Sequence, residues 1–126
     1  MLINDPEIVA ELRVLYPRYE AALVGNDVET LTDLFWSSPF AVRMGLAENL
    51  YGIDEIAAFR KGRSPVNLAR SIRRMDIVTF GRDVGSITLE FERSVDGKQV
   101  RGRQSQVWAR LPEGWRIVSA HVSLLP

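Results

Sequence analysis

Cysteine is absent from the 126 residues. That excludes disulfides, thiolate nucleophiles and cysteine metal sites together. Histidine is nearly absent, with His121 alone, so no histidine-rich metal site can be assembled. No H-x-x-E-H, G-x-S-x-G, Walker A or G-x-G-x-x-G pattern is found, and neither metal nor other cofactor is expected. No stretch approaches the roughly 18 apolar residues of a membrane span. The opening MLINDPEIVAELR carries acids where a signal peptide carries a basic region and an apolar run, so a cytoplasmic location is expected. An excess of either charge is also missing: Lys plus Arg and Asp plus Glu number 16 each. That argues against a nucleic-acid or membrane-surface binder.

What remains is ordinary in bulk and biased in detail. A chain of 126 residues, 46% hydrophobic and 25% charged, fits one domain over residues 1–126 with one core. The bias is toward arginine, since Lys61 and Lys98 are the only lysines. Arginine suits two-pronged carboxylate recognition and partly buried ion pairs, although a GC-rich genome gives the same bias.

The chain divides into helices and then strands. Asp5, Pro6 and Glu7 form a helix start. Ile8, Leu12, Leu15, Tyr19, Ala22 and Leu23 give one apolar stripe. Pro17 removes a backbone bond inside that pattern, so a kink near residues 13–17, or two short helices, is expected before Gly25 closes the segment. A second helix carries Val28, Leu31, Leu34 and Phe35, capped by Asn26 with Glu29 or by Asp27. A strand over Phe40–Leu46 follows, then a helix over about Ile53–Lys61 that buries Ile56 and Phe59, then a loop in GRSPVN. From Ala69 onward the turns FGRDV, VDGK and LPEGW mark an antiparallel sheet.

Those turns set the register, and the register sorts the faces. Val95 opposite Lys98 puts Glu92 against Arg101 and Glu90 against Arg103. Phe80 opposite Val84 brings Arg74 to Glu90. Leu111 opposite Trp115 puts Ser105 against His121. One face then carries Met75, Ile77, Ile87, Leu89, Phe91, Gln104, Gln106, Trp108, Val118, Ala120 and Val122, and packs on the helices. The other is charge-matched across strands and is expected to meet a second copy. The result is an α+β layer fold whose curved sheet wraps a long helix and leaves a pocket at its open end.

Few residues in this frame can do chemistry. Gln104 and Gln106 stand among aliphatic side chains and need partners, either helix ends and loops or a polar ligand. Trp108 on the same face reads as core or as a ligand platform. Tyr19 lies on the helix stripe, as a core tyrosine or a catalytic one. His121 falls on the outer face, away from any serine triad. Arg43 alternates with Phe40, Val42, Met44 and Leu46 and is flanked by Ala41 and Gly45. Facing inward it needs a partner, and Glu90 and Glu92 belong to the other face. Facing outward it is an ordinary surface residue. The pattern leaves both open.

The stretches INDPE, YEAALVGNDVETLTDLFW, VRMGLAENLYG and GRQSQVWARLPEGWRIVSAHVS together resemble the AtzH/HpxZ group of the nuclear transport factor 2-like (SnoaL-like) superfamily. The likeness covers nearly the whole chain. It implies a cystatin-like cone, a curved antiparallel sheet around N-terminal helices, and a homodimer through the outer sheet face. Members resemble accessories to amidase-signature enzymes in s-triazine (cyanuric acid) or purine (oxalurate) catabolism. The AtzH branch implies an amidohydrolase that converts 1,3-dicarboxyurea to allophanate, with loss of carbon dioxide and ammonia. The likeness places Tyr19 and Arg43 as catalytic; Gln104, Gln106, Trp108 and Tyr51 are expected to bind the substrate. Pro17 departs from the pattern, and a kink there would move Tyr19. On this reading Arg43 clamps a substrate carboxylate. Tyr19 donates to the carbonyl oxygen or relays a proton, the glutamines hold the urea amides, and water attacks directly. The alternative is a non-catalytic dimer that binds an anion or serves an amidase-signature hydrolase.

Overall fold

The computed structural model describes residues 1–65 and 68–126; Val66 and Asn67, the end of the GRSPVN loop, lie outside the described residues. Helix α1 spans Pro6–Val24. It opens as its sequence dictates, with Asp5 Oδ1 accepting from the Glu7 N–H at 3.1 Å and Pro6 in the first turn. It closes with the Gly25 N–H donating to the Ala21 carbonyl at 3.0 Å. The expected alternative of two short helices does not occur: α1 is one helix of 19 residues with Pro17 inside it. An interior proline costs about 3 kcal/mol, while each large apolar side chain buried contributes about 1.5–3 kcal/mol. Ile8, Leu12, Tyr16, Tyr19 and Leu23 are all buried along one face, so packing on both sides of Pro17 outweighs the lost bond. The stripe also differs by one position, because Tyr16 rather than Leu15 takes the fully buried place.

Helix α2, Val28–Leu34, is capped by Asp27, which accepts from the Thr30 N–H at 3.2 Å and from the Thr30 hydroxyl at 2.7 Å. The expected strand over Phe40–Leu46 shortens to β1, Val42–Met44, which forms a hairpin with β2, Asn49–Tyr51. The reading of the sequence had no strand at β2. The alternation around Arg43 is real, but its apolar members are the outer ones. Phe40 is 76% exposed, while Ala41 and Arg43 are buried. Gly52 then turns the chain into α3, Ile53–Gly62, with φ of +87° and Pro39 backbone atoms 3.3 Å from where a Cβ would stand. Only glycine fits both demands.

Strands β3 (Ser71–Phe80), β4 (Val84–Val95), β5 (Lys98–Leu111) and β6 (Gly114–Leu124) form the antiparallel run. The six-stranded sheet has the order β2-β1-β6-β5-β4-β3, with β1 parallel to β6. The register inferred from two turns holds: Val95 pairs with Lys98, Glu92 with Arg101, Glu90 with Arg103, and Arg74 with Glu90. Asp96 and Gly97 both have positive φ, as a type I′ turn requires. The third turn is one residue tighter than expected, since Leu111 pairs with Gly114. A bulge at Val107/Trp108 then restores the ladder, so Ser105 still faces His121. Its extra residue changes which β6 side chains face in. Ile117 is buried where Val118 was expected, and Ala120 remains buried.

The sheet thus curves around α1, with Leu12, Ile87, Leu89, Trp108 and Ile117 fully buried between them. On the outer face Arg73 pairs with Glu92 at 2.6 Å and Arg74 with Asp76 at 2.8 Å.

Candidate functional site

Arg43, Arg63, Arg70 and Arg93 reach one cavity of about 290 Å³, together with Glu48 and Gln104. They come from β1, the end of α3, the approach to β3 and the far end of β4. A narrow crevice shares Arg43, Gln104 and Val122 with this cavity and reaches Tyr19. Four guanidiniums meet one lining carboxylate, so the cavity is an anion site by composition. The Nε atoms of Arg63 and Arg93 are buried and unpartnered, while Arg63 Nη2 donates to Asn26 Oδ1 at 3.0 Å.

Arg43 faces inward, and the acid that sequence reasoning did not find beside it is Glu48. Arg43 Nη1 donates to Glu48 Oε1 at 3.2 Å. Glu48 Oε2 accepts from the Ala47 N–H at 3.1 Å, which fixes the carboxylate in the β1–β2 turn. A Cβ on Gly45 would collide with that carboxylate. The small residue beside Arg43 therefore makes room for its own counter-ion. The contact engages one nitrogen, and the Phe59 ring lies 5.5 Å from the guanidinium carbon, so the remaining fork is available to a ligand carboxylate.

Below the cavity two tyrosines stand with ring centroids 5.7 Å apart. Tyr16 donates to Glu20 Oε1 at 2.8 Å and accepts from Gln104 Nε2 at 2.9 Å. Arg70 closes this network. Its Nε and Nη2 reach the two Glu20 oxygens at 2.9 Å each, and Nη2 reaches Gln104 Oε1 at 2.8 Å. Both ends of the Gln104 amide are thereby engaged within the protein. Tyr19 belongs to a different pair: Arg60 Nη2 donates to its hydroxyl at 3.1 Å.

The ionisations follow from these neighbours. Burial, and then the Glu20 charge, push the Tyr16 hydroxyl well above the usual phenol range. Burial pushes Tyr19 up too, but Arg60, Arg43 and Arg70 outweigh it and leave Tyr19 below the usual value. Burial, with Arg60 and Arg43 nearby, lowers Arg63 to about 10. Burial also lowers Arg60. Arg70 is raised, because its hydrogen bonds and charge attraction to Glu20 overcome its own burial.

Among the residues expected at the site, Tyr19, Arg43 and Gln104 come together. Gln106 and Trp108 do not line it: Trp108 Nε1 donates to Gln106 Oε1 at 3.0 Å inside the core. Tyr51 is 59% exposed and stands apart, its chain neighbour Leu50 taking the inner side of β2. Sequence reasoning missed Arg60, Arg63, Arg70, Arg93, Glu20 and Glu48. Two of these carried a signal. Arg60 lies one helical turn beyond Ile56 on the buried face of α3, and Arg93 extends the inward alternation of Ile87, Leu89 and Phe91.

The AtzH-like family profile matches residues 1–126. The chain belongs to the AtzH-like family. A solved protein of unknown function from Pectobacterium atrosepticum is 47% identical to this AtzH-like chain, with a TM-score of 0.93, covering 98% of this chain and 95% of its own. A cystatin-like fold protein from Burkholderia xenovorans is 44% identical, with a TM-score of 0.90, covering 100% and 99%. A nuclear transport factor 2-like superfamily protein from Salmonella enterica shares the fold at 24% identity and a TM-score of 0.78, covering 96% and 93%. No curated protein matches the AtzH-like chain. Among the described residues no helix is long and apolar enough to cross a membrane.

Proposed function

We propose that this protein is a small amidohydrolase acting on a carboxylated urea anion, 1,3-dicarboxyurea, to give allophanate. The observation that carries the proposal is the cavity itself: four arginines and one lining carboxylate, opening by a crevice onto Tyr19. On this reading a substrate with a carboxylate at each end meets Arg43 at one and the cavity-lining guanidiniums of Arg63 and Arg93 at the other. Charge-assisted bonds of this kind contribute about 1.5–3 kcal/mol each.

Atom balance fixes the products. Water adds to one terminal carboxyl carbon, the C–N bond breaks, and the nitrogen takes the proton that water loses. Allophanate and bicarbonate result, and ammonia is not a product of this step. On this reading Tyr19 moves that proton, and Arg43 holds the carboxylate under attack.

One observation favours a second reading, that of a non-catalytic anion-binding or accessory protein. Glu20 and Glu48 are both held in ion pairs, so neither is a free base. Mass-spectrometric product analysis separates the two. Freshly generated 1,3-dicarboxyurea is given to the protein, to Arg43→Ala, to Tyr19→Phe and to buffer. Faster allophanate formation with the wild-type chain alone supports the enzyme, and a loss of about 10²–10⁴ in Tyr19→Phe is the size expected of a general acid–base group. Equal rates in all four samples would sink it.

A further inference from the structure

Arg60 is 0% exposed, the most buried charged side chain among the described residues. Among the described residues its one hydrogen-bond partner is the Tyr19 hydroxyl, at 3.1 Å, and its Nε and Nη1 are buried with no partner there. The Tyr19 and Phe35 rings lie 5.9 and 5.6 Å from its guanidinium carbon. A buried cation without a counter-ion is strongly unfavourable. The nearby acids are committed elsewhere: Glu20 holds Arg70 at 2.9 Å and Glu48 holds Arg43 at 3.2 Å. The group in hydrogen-bond contact with Arg60 that can become an anion is Tyr19.

We infer that Arg60 and Tyr19 form a buried guanidinium–phenolate pair, with Arg60 the positioning residue that keeps Tyr19 ready to accept a proton. The other groups around Tyr19 act in the same direction or are neutral. From α1 comes Tyr16, whose hydroxyl is turned to Glu20. From α3 and its end come Arg60 and Arg63, from β1 Arg43, and from the approach to β3 Arg70. Gln104 of β5 is neutral, and His121 of β6 lines the crevice from an exposed position. The lowered ionisation of Tyr19, in spite of its burial, is consistent with this geometry.

The catalytic use of the pair rests on the amidohydrolase reading. The phenolate removes a proton from water, and the resulting hydroxide adds to the terminal carboxyl carbon. The C–N bond breaks, and the Tyr19 hydroxyl returns that proton to the leaving nitrogen. Bicarbonate and allophanate depart, and the phenolate is restored beside Arg60.

The test is a spectrophotometric pH titration of phenolate absorbance on the full chain, its Tyr19→Phe variant, and Arg60→Met and Arg60→Lys. The chain has three tyrosines. One of them is expected to be ionised well below the ordinary value of about 10. That component is absent from Tyr19→Phe and moves above the ordinary range in Arg60→Met, with Arg60→Lys between. Should Arg60→Met fail to fold, the wild-type and Tyr19→Phe curves decide alone. Superimposable curves below pH of about 10 would overturn the pair. Turnover of 1,3-dicarboxyurea is read on the same samples. An early-titrating Tyr19 without turnover leaves the pair standing and removes the enzyme. Turnover with an ordinary Tyr19 does the reverse.

Discussion

Tyr16 and Tyr19 sit less than one turn apart on α1 and are driven in opposite directions, one by burial and then a carboxylate, the other by guanidiniums that outweigh its burial. Their ionisations therefore have opposite consequences for stability. The folded-state value of Tyr19 lies below its unfolded one. Its stabilising contribution is full above the unfolded value near 10 and is lost as pH falls through the folded value. The Tyr16 value is raised, so its contribution is present at low pH and lost as pH rises through that value. Below a pH of about 10 Tyr16 stays protonated in the folded and unfolded states of both proteins, so it does not enter their difference there. The unfolding free energy of wild type relative to Tyr19→Phe is thus expected to grow with pH up to about 10, by at most about 1.4 kcal/mol per unit. Urea denaturation of both proteins at several pH values measures it. A flat or falling difference would mean that the arginines do not stabilise the anion.

Helix α1 positions both tyrosines while carrying an exposed proline in its fourth turn. Replacing Pro17 by Ala restores one backbone donor and removes a ring clash, so the helix gains up to about 3 kcal/mol, less the unfolded-state entropy that proline withholds, about 0.4–1 kcal/mol. Pro17→Ala is expected to raise the midpoint of thermal unfolding with turnover retained, since no site contact depends on Pro17. A lowered midpoint would show that the proline's restriction of the unfolded chain outweighs the restored backbone bond. This element also shows what a sequence can and cannot reveal. The stripe, the caps and the strand register were legible because each follows from periodicity or turn chemistry. The continuity through Pro17 was not, because it depends on burial supplied by the distant sheet. For the same reason the inner face of β6 was misread at Val118: a bulge inside a strand has no turn residue to announce it. The site was legible in Tyr19, Arg43 and Gln104, which carried family context or an anomalous position. Glu48 was hidden in a turn, and Arg63 and Arg70 in irregular chain, where no period assigns a side chain to a face.

Across the whole molecule the charges cancel, 16 against 16, yet they are not evenly spread. The outer sheet face pairs its arginines with Glu92 and Asp76, whereas the cavity gathers four arginines against Glu48. A neutral protein with a cationic interior pocket discriminates by charge number at short range rather than by long-range steering. Exposed charges are screened beyond about 8 Å at physiological salt, and partly buried ones much less. A small dicarboxylate such as malonate is therefore expected to bind more tightly than acetate by about tenfold or more, the worth of one further charge-assisted contact at about 1.5–3 kcal/mol. Isothermal titration calorimetry of both anions against wild type, Arg43→Ala and Arg93→Ala measures this. Arg93→Ala should bring malonate down toward acetate and leave acetate nearly unchanged, because it removes the second contact alone. The preference should also survive a rise in salt that abolishes binding to an exposed patch. Equal affinities for the two anions, or a preference erased by modest salt, would place the anion site on the surface and take the two-ended substrate away from this cavity.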